Sequence, residues 1–349
     1  MHVTALHVRQ FRNHKEYRCR LAATVNVIYG SNGSGKTSLL EAVCLAYKGT
    51  SFRGHDKDMV HRESEWYRVS MSDTSNIDRV ITFDNRGERA RKQWTVDSKN
   101  TARLPQKFRY PVILFTPDDL RLIDGSPARR RKYLDDILSQ LNPAYHTALR
   151  RYERALVQRN RLLKSRDVSR DQLFPWNVIL SESGSMVIAA RRQFVKTVND
   201  FITPKYQQIA GATNDDEVAV DYTARDISAQ ALLSHYEDCF ERDRLQGYTT
   251  AGPHRHDIQV SLRGTPAENH ASRGEVRTII LALKYIEADM IAVQFGMSPL
   301  ILLDDVFGEL DSTRQQHLIE TFNDQQIIIT STHPIEGIDF AHQIRLAEG

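Results

Sequence analysis

Gly30-Ser31-Asn32-Gly33-Ser34-Gly35-Lys36-Thr37 stands between an apolar run at 25–29 and a stretch of helix formers at 36–47. The spacing G-x-x-x-x-G-K-[ST], set between a strand and a helix, is the pattern that wraps a polyphosphate. Its glycines let the backbone come close, so that several amide N–H groups and a helix N-terminus converge on negative charge. Lys36 is placed to reach the β- and γ-phosphates and the Thr37 hydroxyl to bind Mg²⁺, with Ser38 counted among the nucleotide-binding residues. A plain Gly/Ser surface loop would need neither the lysine, the threonine nor the flanking elements.

Working outward, the complement of this loop lies far along the chain. Leu300-Ile301-Leu302-Leu303-Asp304-Asp305 is an apolar strand that ends in two adjacent carboxylates. Because side chains alternate along a strand, the two acids cannot share one role. Asp304 is the candidate Mg²⁺ acid and Asp305 the candidate base that polarises an attacking water. A tandem Asp at a strand end can also be only a turn. A small nucleotide kinase keeps both motifs in one compact domain, whereas here most of the chain separates them.

The remaining composition narrows the class. The chain has 349 residues, with 47 Lys and Arg against 44 Asp and Glu, so its net charge of +3 gives no global argument for nucleic acid. Cys19, Cys44 and Cys239 are far apart and form no C-x-x-C pair, which points away from a disulfide framework or a cysteine zinc site and towards a reduced cytoplasm. The N-terminus is too polar for a signal peptide, and no apolar run approaches the roughly 18 residues a membrane span needs, so no membrane is expected.

Short strands are expected at 4–8, 25–29, 67–72, 79–83 and 93–96, then a buried strand at 112–115. Ser126-Pro127 caps a helix with proline at its first position, and helix formers and Arg dominate from there to about 208. Alternating strands and helices return over the last eighty or so residues, implying a largely parallel sheet there. The reading is an α/β head with a mixed sheet and an inserted, mainly helical subdomain: an N-terminal lobe 1–125, the insert 126–210, and a C-terminal lobe 211–349.

Three segments sharpen the class. Ser272-Arg273-Gly274-Glu275 opens the helix before the Asp304 strand and is either an ordinary N-cap or an anion-binding S-x-G-[QE] signature. Glu309-Leu310-Asp311 follows the paired acids. His333, in the loop after the strand at 326–330, is either incidental or a sensor of the γ-phosphate. Together with the loop at 30–38 these resemble the ABC class of P-loop ATPases. Phe11-Arg12-Asn13, Phe115-Thr116-Pro117-Asp118-Asp119-Leu120, Gly125-Ser126-Pro127 with Arg129-Arg130-Arg131, Gly252-Pro253-His254-Arg255 and Leu303-Asp304-Asp305-Val306-Phe307-Gly308-Glu309-Leu310-Asp311 resemble the RecF family in order and spacing, nearly end to end. Arg273 and Glu275 depart from the glutamines frequent around that signature glycine, and no clear Q-loop glutamine follows 112–115. The resemblance implies an ATP- and Mg²⁺-dependent head that forms a homodimer on ATP. Ser272 and Gly274 would then cap the nucleotide held by the opposite protomer. It further implies DNA binding in the dimer, slow hydrolysis that resets the clamp, and work with the RecO and RecR proteins to place RecA on gapped DNA.

Candidate DNA contacts come from charge patterns. On the helix expected from 143 to about 166, Tyr145, Tyr152, Leu156 and Leu163 form one stripe, and Arg150, Arg154, Arg161 and Lys164 gather opposite. Such a face is either simply solvated or a sequence-independent phosphate contact. The cations Arg129, Arg130 and Arg131 at a helix start oppose the helix dipole, so a phosphate or an acidic partner should offset them. Other readings are an ABC-type ATPase acting on a protein partner, a P-loop phosphotransferase, and a transporter subunit.

Overall fold

A computed structural model describes residues 1–346 apart from 76, 166, 212–215, 225–227, 323, 336 and 339. The chain divides into two compact units, one made of residues 1–119 and 288–349 and the other of residues 120–287.

The first unit begins with β1 (Val3–Phe11), β2 (His14–Arg20), β3 (Val25–Tyr29), α1 (Lys36–Lys48), β4 (Trp66–Asp73), β5 (Arg79–Asp84), β6 (Arg91–Val96), β7 (Lys99–Thr101) and β8 (Val112–Phe115). The second unit carries α2 (Pro127–Leu141), α3 (Pro143–Leu163), α4 (Arg170–Ala210), β9 (Val218–Thr223), α5 (Ala229–Asp238) and α6 (Phe240–Gln246). It continues through β10 (Asp257–Leu262), β11 (Thr265–Pro266), α7 (Ala267–His270) and most of α8 (Arg273–Phe295). The chain then returns to the first unit with β12 (Leu300–Leu303), α9 (Ser312–Thr321), β13 (Ile327–Ser331) and β14 (His342–Arg345).

Beside a three-stranded antiparallel sheet β11-β10-β9 in the second unit, the first unit sorts its parallel and antiparallel strands into two separate sheets. One is antiparallel, in the order β2-β1-β4-β5-β6-β7; the other is wholly parallel, in the order β14-β3-β13-β12-β8. The strands of the parallel sheet centre are apolar on both faces: every residue of β12 is buried, as are Ile327, Ile328, Ile329 and Thr330 of β13. Helix α1 is buried almost all round, from Leu39 to Tyr47, and shares one core with β1, β4, β5, β12 and β13. That burial fixes the loop in front of α1.

In the second unit α3, α4 and α5 pack around Tyr152, Leu180, Ile188, Leu232 and Tyr236. Here the boundaries differ from the expected lobes: residues from β9 through most of α8 group with the helices, so that the 211–349 stretch is divided. The cause is local pairing, since the Asn199 side chain on α4 exchanges two 2.8 Å hydrogen bonds with the Val220 backbone, and Thr203 likewise bonds Val218. Helix α3 ends at Leu163 with Lys164 as its cap, and Arg166 lies outside the described residues. No described helix is long and apolar enough to cross a membrane.

Candidate functional site

The loop 30–35 leaves β3, the strand between β14 and β13 in the parallel sheet, and enters α1. Gly30 N–H donates to the Ser331 carbonyl at 3.2 Å, and Ser34 N–H to Ser31 at 3.2 Å, closing the loop on itself. Gly35 cannot be replaced: its φ is +95°, and a Cβ there would lie 2.4 Å from Nε2 of His14. The His14 ring donates to the Gly35 carbonyl at 3.1 Å, and burial lowers its pKa against that hydrogen bond. Its neighbours on the β1–β2 turn complete a cradle. Asn13 Nδ2 donates to the Gly33 carbonyl at 2.9 Å, and Arg12 holds the fully buried Glu41 of α1 through two hydrogen bonds of 2.8 and 2.7 Å. Phe11-Arg12-Asn13 therefore supports the loop from behind; the sequence reading marked this block, but not what it touches.

Lys36 is buried, and its Nζ donates to the carbonyls of Gly30 and Ser31 at 2.9 and 3.0 Å. An ammonium has three protons, so one remains for a ligand in the loop. Ser38 is buried in the first turn, while Ser31 and Asn32 are exposed and Gly33 faces open space.

Asp304, at the end of β12, is brought to this loop across 267 residues of chain: Thr37 Oγ1 donates to its Oδ1 at 2.7 Å. Thr330 of β13, missed by the sequence reading, ties both acids down. Its hydroxyl donates to Asp304 Oδ1 at 3.0 Å and accepts the Asp305 N–H at 2.9 Å. Burial pushes the Asp304 carboxyl above its ordinary pKa; the hydrogen bonds from Thr37 and Thr330 pull it down, Asp305 adds to the rise, and Arg53 opposes it. Arg53 thus adds positive charge to the field at Asp304 that no motif announced. Asp305 has a left-handed backbone, φ +52°, which costs a non-glycine residue on the order of 1 kcal/mol and turns it out of strand alternation.

Two buried side-chain oxygens here have no partner among the described residues, Ser34 Oγ in the loop and Asp305 Oδ1 beside Asp304. Unpaired buried polar atoms cost about 1–3 kcal/mol each, so their place at one site fits groups that bind a nucleotide and water. The donor set also fits Mg²⁺, which takes one or two protein oxygens and completes its shell with phosphate and water. No cluster of three His, Cys, Asp or Glu side chains, which would suit a protein-only metal site, occurs among the described residues. His333 is exposed in the loop after β13, with Nδ1 2.9 Å from the Thr332 hydroxyl. Asp311 caps α9 by accepting the Arg314 N–H at 2.9 Å.

In the second unit, Ser272 and Glu275 form a reciprocal cap at the start of α8: Ser272 N–H donates to Glu275 Oε2 at 2.7 Å and Glu275 N–H to Ser272 Oγ at 3.3 Å. Glu275 is held below its ordinary pKa first by the Ser272 backbone. Ser272 is exposed, Gly274 half-buried, and the Ser272 hydroxyl proton is not used in the cap.

The arginine run at the head of α2 corrects one expectation. Arg130 does not face solvent: it is buried, bound in a fork to Asp257 at 2.8 and 2.7 Å, and donates to the Ile123 and Gly125 carbonyls. The acid that offsets the helix dipole is therefore intramolecular. Arg131 is half-buried and donates to the His256 carbonyl at 3.0 Å, and Arg129 is half-buried. On α3 the split of faces is as expected, with Tyr145, Tyr152 and Leu163 buried and Arg150, Arg154, Arg161 and Lys164 exposed. The conspicuous addition is Arg159 of that helix, fully buried and paired with Asp243 at 2.7 Å. Gly252-Pro253-His254-Arg255 closes over the same core: a Cβ on Gly252 would meet the Tyr152 and Tyr236 hydroxyls at 2.5 Å.

A glycine loop between β3 and α1, an acid pair on β12 that reaches it, and a wholly parallel sheet with a separate antiparallel one define an ABC-type P-loop ATPase head. Residues 2–343 match the family described as the RecF/RecN/SMC N terminal domain. The chain is 34% identical to the DNA replication and repair protein RecF of Chloroflexus aurantiacus, covering 95% of this chain and 93% of that one. A solved structure of the recombination mediator protein RecF-ATPrS in the RecFOR pathway superposes with a TM-score of 0.86 at 27% identity, over 98% of this chain and 96% of the other. The head of an Smc protein, solved bound to the C-winged helix domain of ScpA, shares the fold alone, with a TM-score of 0.52 at 14% identity, covering 95% and 90% of the two chains. The chain belongs to the RecF family.

Proposed function

We propose that this chain is a slow, Mg²⁺-dependent ATPase that dimerises on ATP and, as a dimer, holds DNA during replication and repair. The observation that carries the reading is the contact between Thr37 and Asp304, with Thr330 bridging Asp304 to Asp305. Loop amides and Lys36 bind and orient the β- and γ-phosphates. Thr37 and Asp304 hold Mg²⁺, which when bound neutralises charge that builds on the phosphates. Asp305 orients the attacking water and takes its proton, which suits a carboxylate oxygen that has no other partner. His333, on an exposed loop after β13, contacts the γ-phosphate from the same protomer. Ser272 is exposed and Gly274 lies at a helix N-terminus, and these serve the nucleotide of the second copy. The family membership and the relatives' names support action in DNA replication and repair, with RecO- and RecR-type proteins as partners in loading a recombinase at gaps.

Exposed Arg150, Arg154, Arg161 and Lys164 on α3 supply phosphate contacts without base readout. Solution mass with and without ATP and Mg²⁺, using Asp305→Asn to retain nucleotide, tests the core of the reading. A dimer that forms only with ATP and binds duplex supports it; a monomer in every nucleotide state sinks it.

A further inference from the structure

The solvent face of the antiparallel sheet has no part in the nucleotide site, and its charge is uneven. Strand register places its outward residues. Arg20 lies across from Ala5, Arg18 from His7, Arg9 from Glu16 and also from Arg68, and Arg91 from Asp84. Arg9, Arg18, Arg20, Arg68 and Arg91 are all exposed. Traced through the register, Arg20 and Arg18 on β2, Arg9 on β1, Arg68 on β4 and Arg91 on β6 step along a diagonal rather than a single row. Four strand spacings of about 4.8 Å and three two-residue steps of about 6.8 Å make that diagonal roughly 28 Å long. This is the axial rise of about eight base pairs at 3.4 Å each.

The acids on this face are too few to neutralise it. Glu16 is shared among His7 at 2.9 Å, Arg18 at 2.9 Å and Arg9 at 4.0 Å. Asp84 is engaged by Arg86, and Asp78, at the margin, accepts from Ser72. Arg20, Arg68 and Arg91 form no ion pair among the described residues. Between the cations lie the hydrogen-bonding side chains of Ser70, Ser72, Thr82, Gln93 and Thr95, with half-buried Val80 and Trp66 on the same face, the latter under the Arg9 guanidinium at 5.7 Å. No exposed large apolar side chain among the described residues belongs to a strand of this sheet. A protein-binding face would be expected to have an apolar, charge-depleted centre, whereas a backbone-reading nucleic-acid face has cations and small polar donors.

We infer that this diagonal of arginines, Arg20-Arg18-Arg9-Arg68-Arg91, is a second track for the phosphate backbone of duplex DNA, separate from the basic face of α3. It rests on the reading that duplex DNA is the ligand and adds the surface of the first unit that holds it. The guanidinium groups contact phosphates only, so the track accepts any sequence.

The test uses the full chain with ATP and Mg²⁺ and a labelled 30-base-pair duplex, titrated across a range of salt by fluorescence anisotropy. The variant Arg20→Glu/Arg68→Glu/Arg91→Glu lies outside the ATPase machinery, so nucleotide affinity and dimer mass should match the wild type and report an intact fold. The expected result is at least about tenfold weaker duplex binding near 0.1 M salt and a salt slope shallower by about 2–3, with Arg→Lys at the same three positions close to wild type. Wild type and variant binding duplex alike, with equal slopes, would overturn the track and leave the DNA reading standing. A wild type that dimerises yet binds no duplex would remove both. Equal capture of polyglutamate at matched charge, lost in the same variant, would assign the face to an acidic protein and overturn the proposal.

Discussion

The acid–threonine cluster of the first unit and the arginine–acid pairs of the second are both buried polar assemblies, yet they are built to different ends. Around Asp304 the groups hold one another through hydroxyls and leave oxygens over, at Ser34 and Asp305. In the second unit the charges close on themselves. Arg159 is bound by Asp243, Asn177 and Thr249 with its guanidinium over the Tyr236 ring, although its Nη2 has no hydrogen-bond partner among the described residues; Arg191 is bound by Asp135 and the Pro253 carbonyl; Arg130 by Asp257. The difference is one of charge: the buried cations of the second unit meet acids of their own chain, which fastens its parts together, whereas Asp304 and Asp305 are held through hydroxyls and keep negative charge that a bound cation can answer.

Substitutions should separate the two kinds. Asp305→Asn should lower the ATP turnover rate by about 10²–10⁴-fold with the melting temperature nearly unchanged, as measured by phosphate release and calorimetry. Arg159→Ala should do the reverse, costing about 3–5 kcal/mol of stability in urea by stranding Asp243 in the core, while Arg159→Met with Asp243→Leu should recover most of that loss. A large turnover defect in that double variant would blur the distinction.

His254 offers a pH test of the closed assembly. It is packed against Tyr152 and bonded to the Thr249 carbonyl, and burial lowers its pKa from 6.5 to about 4. The folded pKa is depressed, so the unfolded chain takes up a proton first as pH falls. Stability contributed by neutral His254 is full above pH 6.5 and is lost progressively down to about pH 4, on the order of 3 kcal/mol in total. His254→Asn should flatten that part of the pH–stability curve measured by urea unfolding. Thr330→Val sits between the two kinds. It should cost about 1–3 kcal/mol through the unpaired Asp305 N–H, and lower turnover as well because both acids lose their tether. The smallest structural effect should come from Arg150→Glu with Arg154→Glu, within about 0.5 kcal/mol in stability, but with a salt slope of DNA binding reduced by about 2.

The same contrast explains what could be read from the chain. Gly30 to Thr37 carries its chemistry in residue types at fixed spacing, so the loop, its lysine and its strand–helix setting were legible. The adjacent acids of β12 were legible as a pair, but their tether was not, because Thr330 is an ordinary buried threonine until β13 is placed beside β12. Arg129-Arg130-Arg131 announced an electrostatic conflict with the helix dipole. It could not announce that the answer was Asp257, 127 residues beyond Arg130 and on strand β10. Helical periodicity sorted the faces of α3 correctly for Tyr145, Tyr152 and Arg150, yet gave no sign of Arg159, whose charge is inside only because Asp243 meets it there. The lobe boundary at 211 was set by a change in composition, and the hydrogen bonds of Asn199 and Thr203 to β9 override it.

The order of the parallel sheet has a consequence during synthesis. Strand β3, made about 300 residues ahead of β13, lies between β13 and β14, and its register with β13 begins at Val25 opposite Ile327. At about 5–20 residues per second, the ribosome delivers those neighbours on the order of 15–60 seconds after β3 leaves it. Throughout that interval an apolar strand and a phosphate-binding loop exist without the acid that completes them. A nascent chain that has not reached Asp304 therefore cannot form the Thr37–Asp304 contact, and one that has not reached Thr330 lacks the tether of both acids.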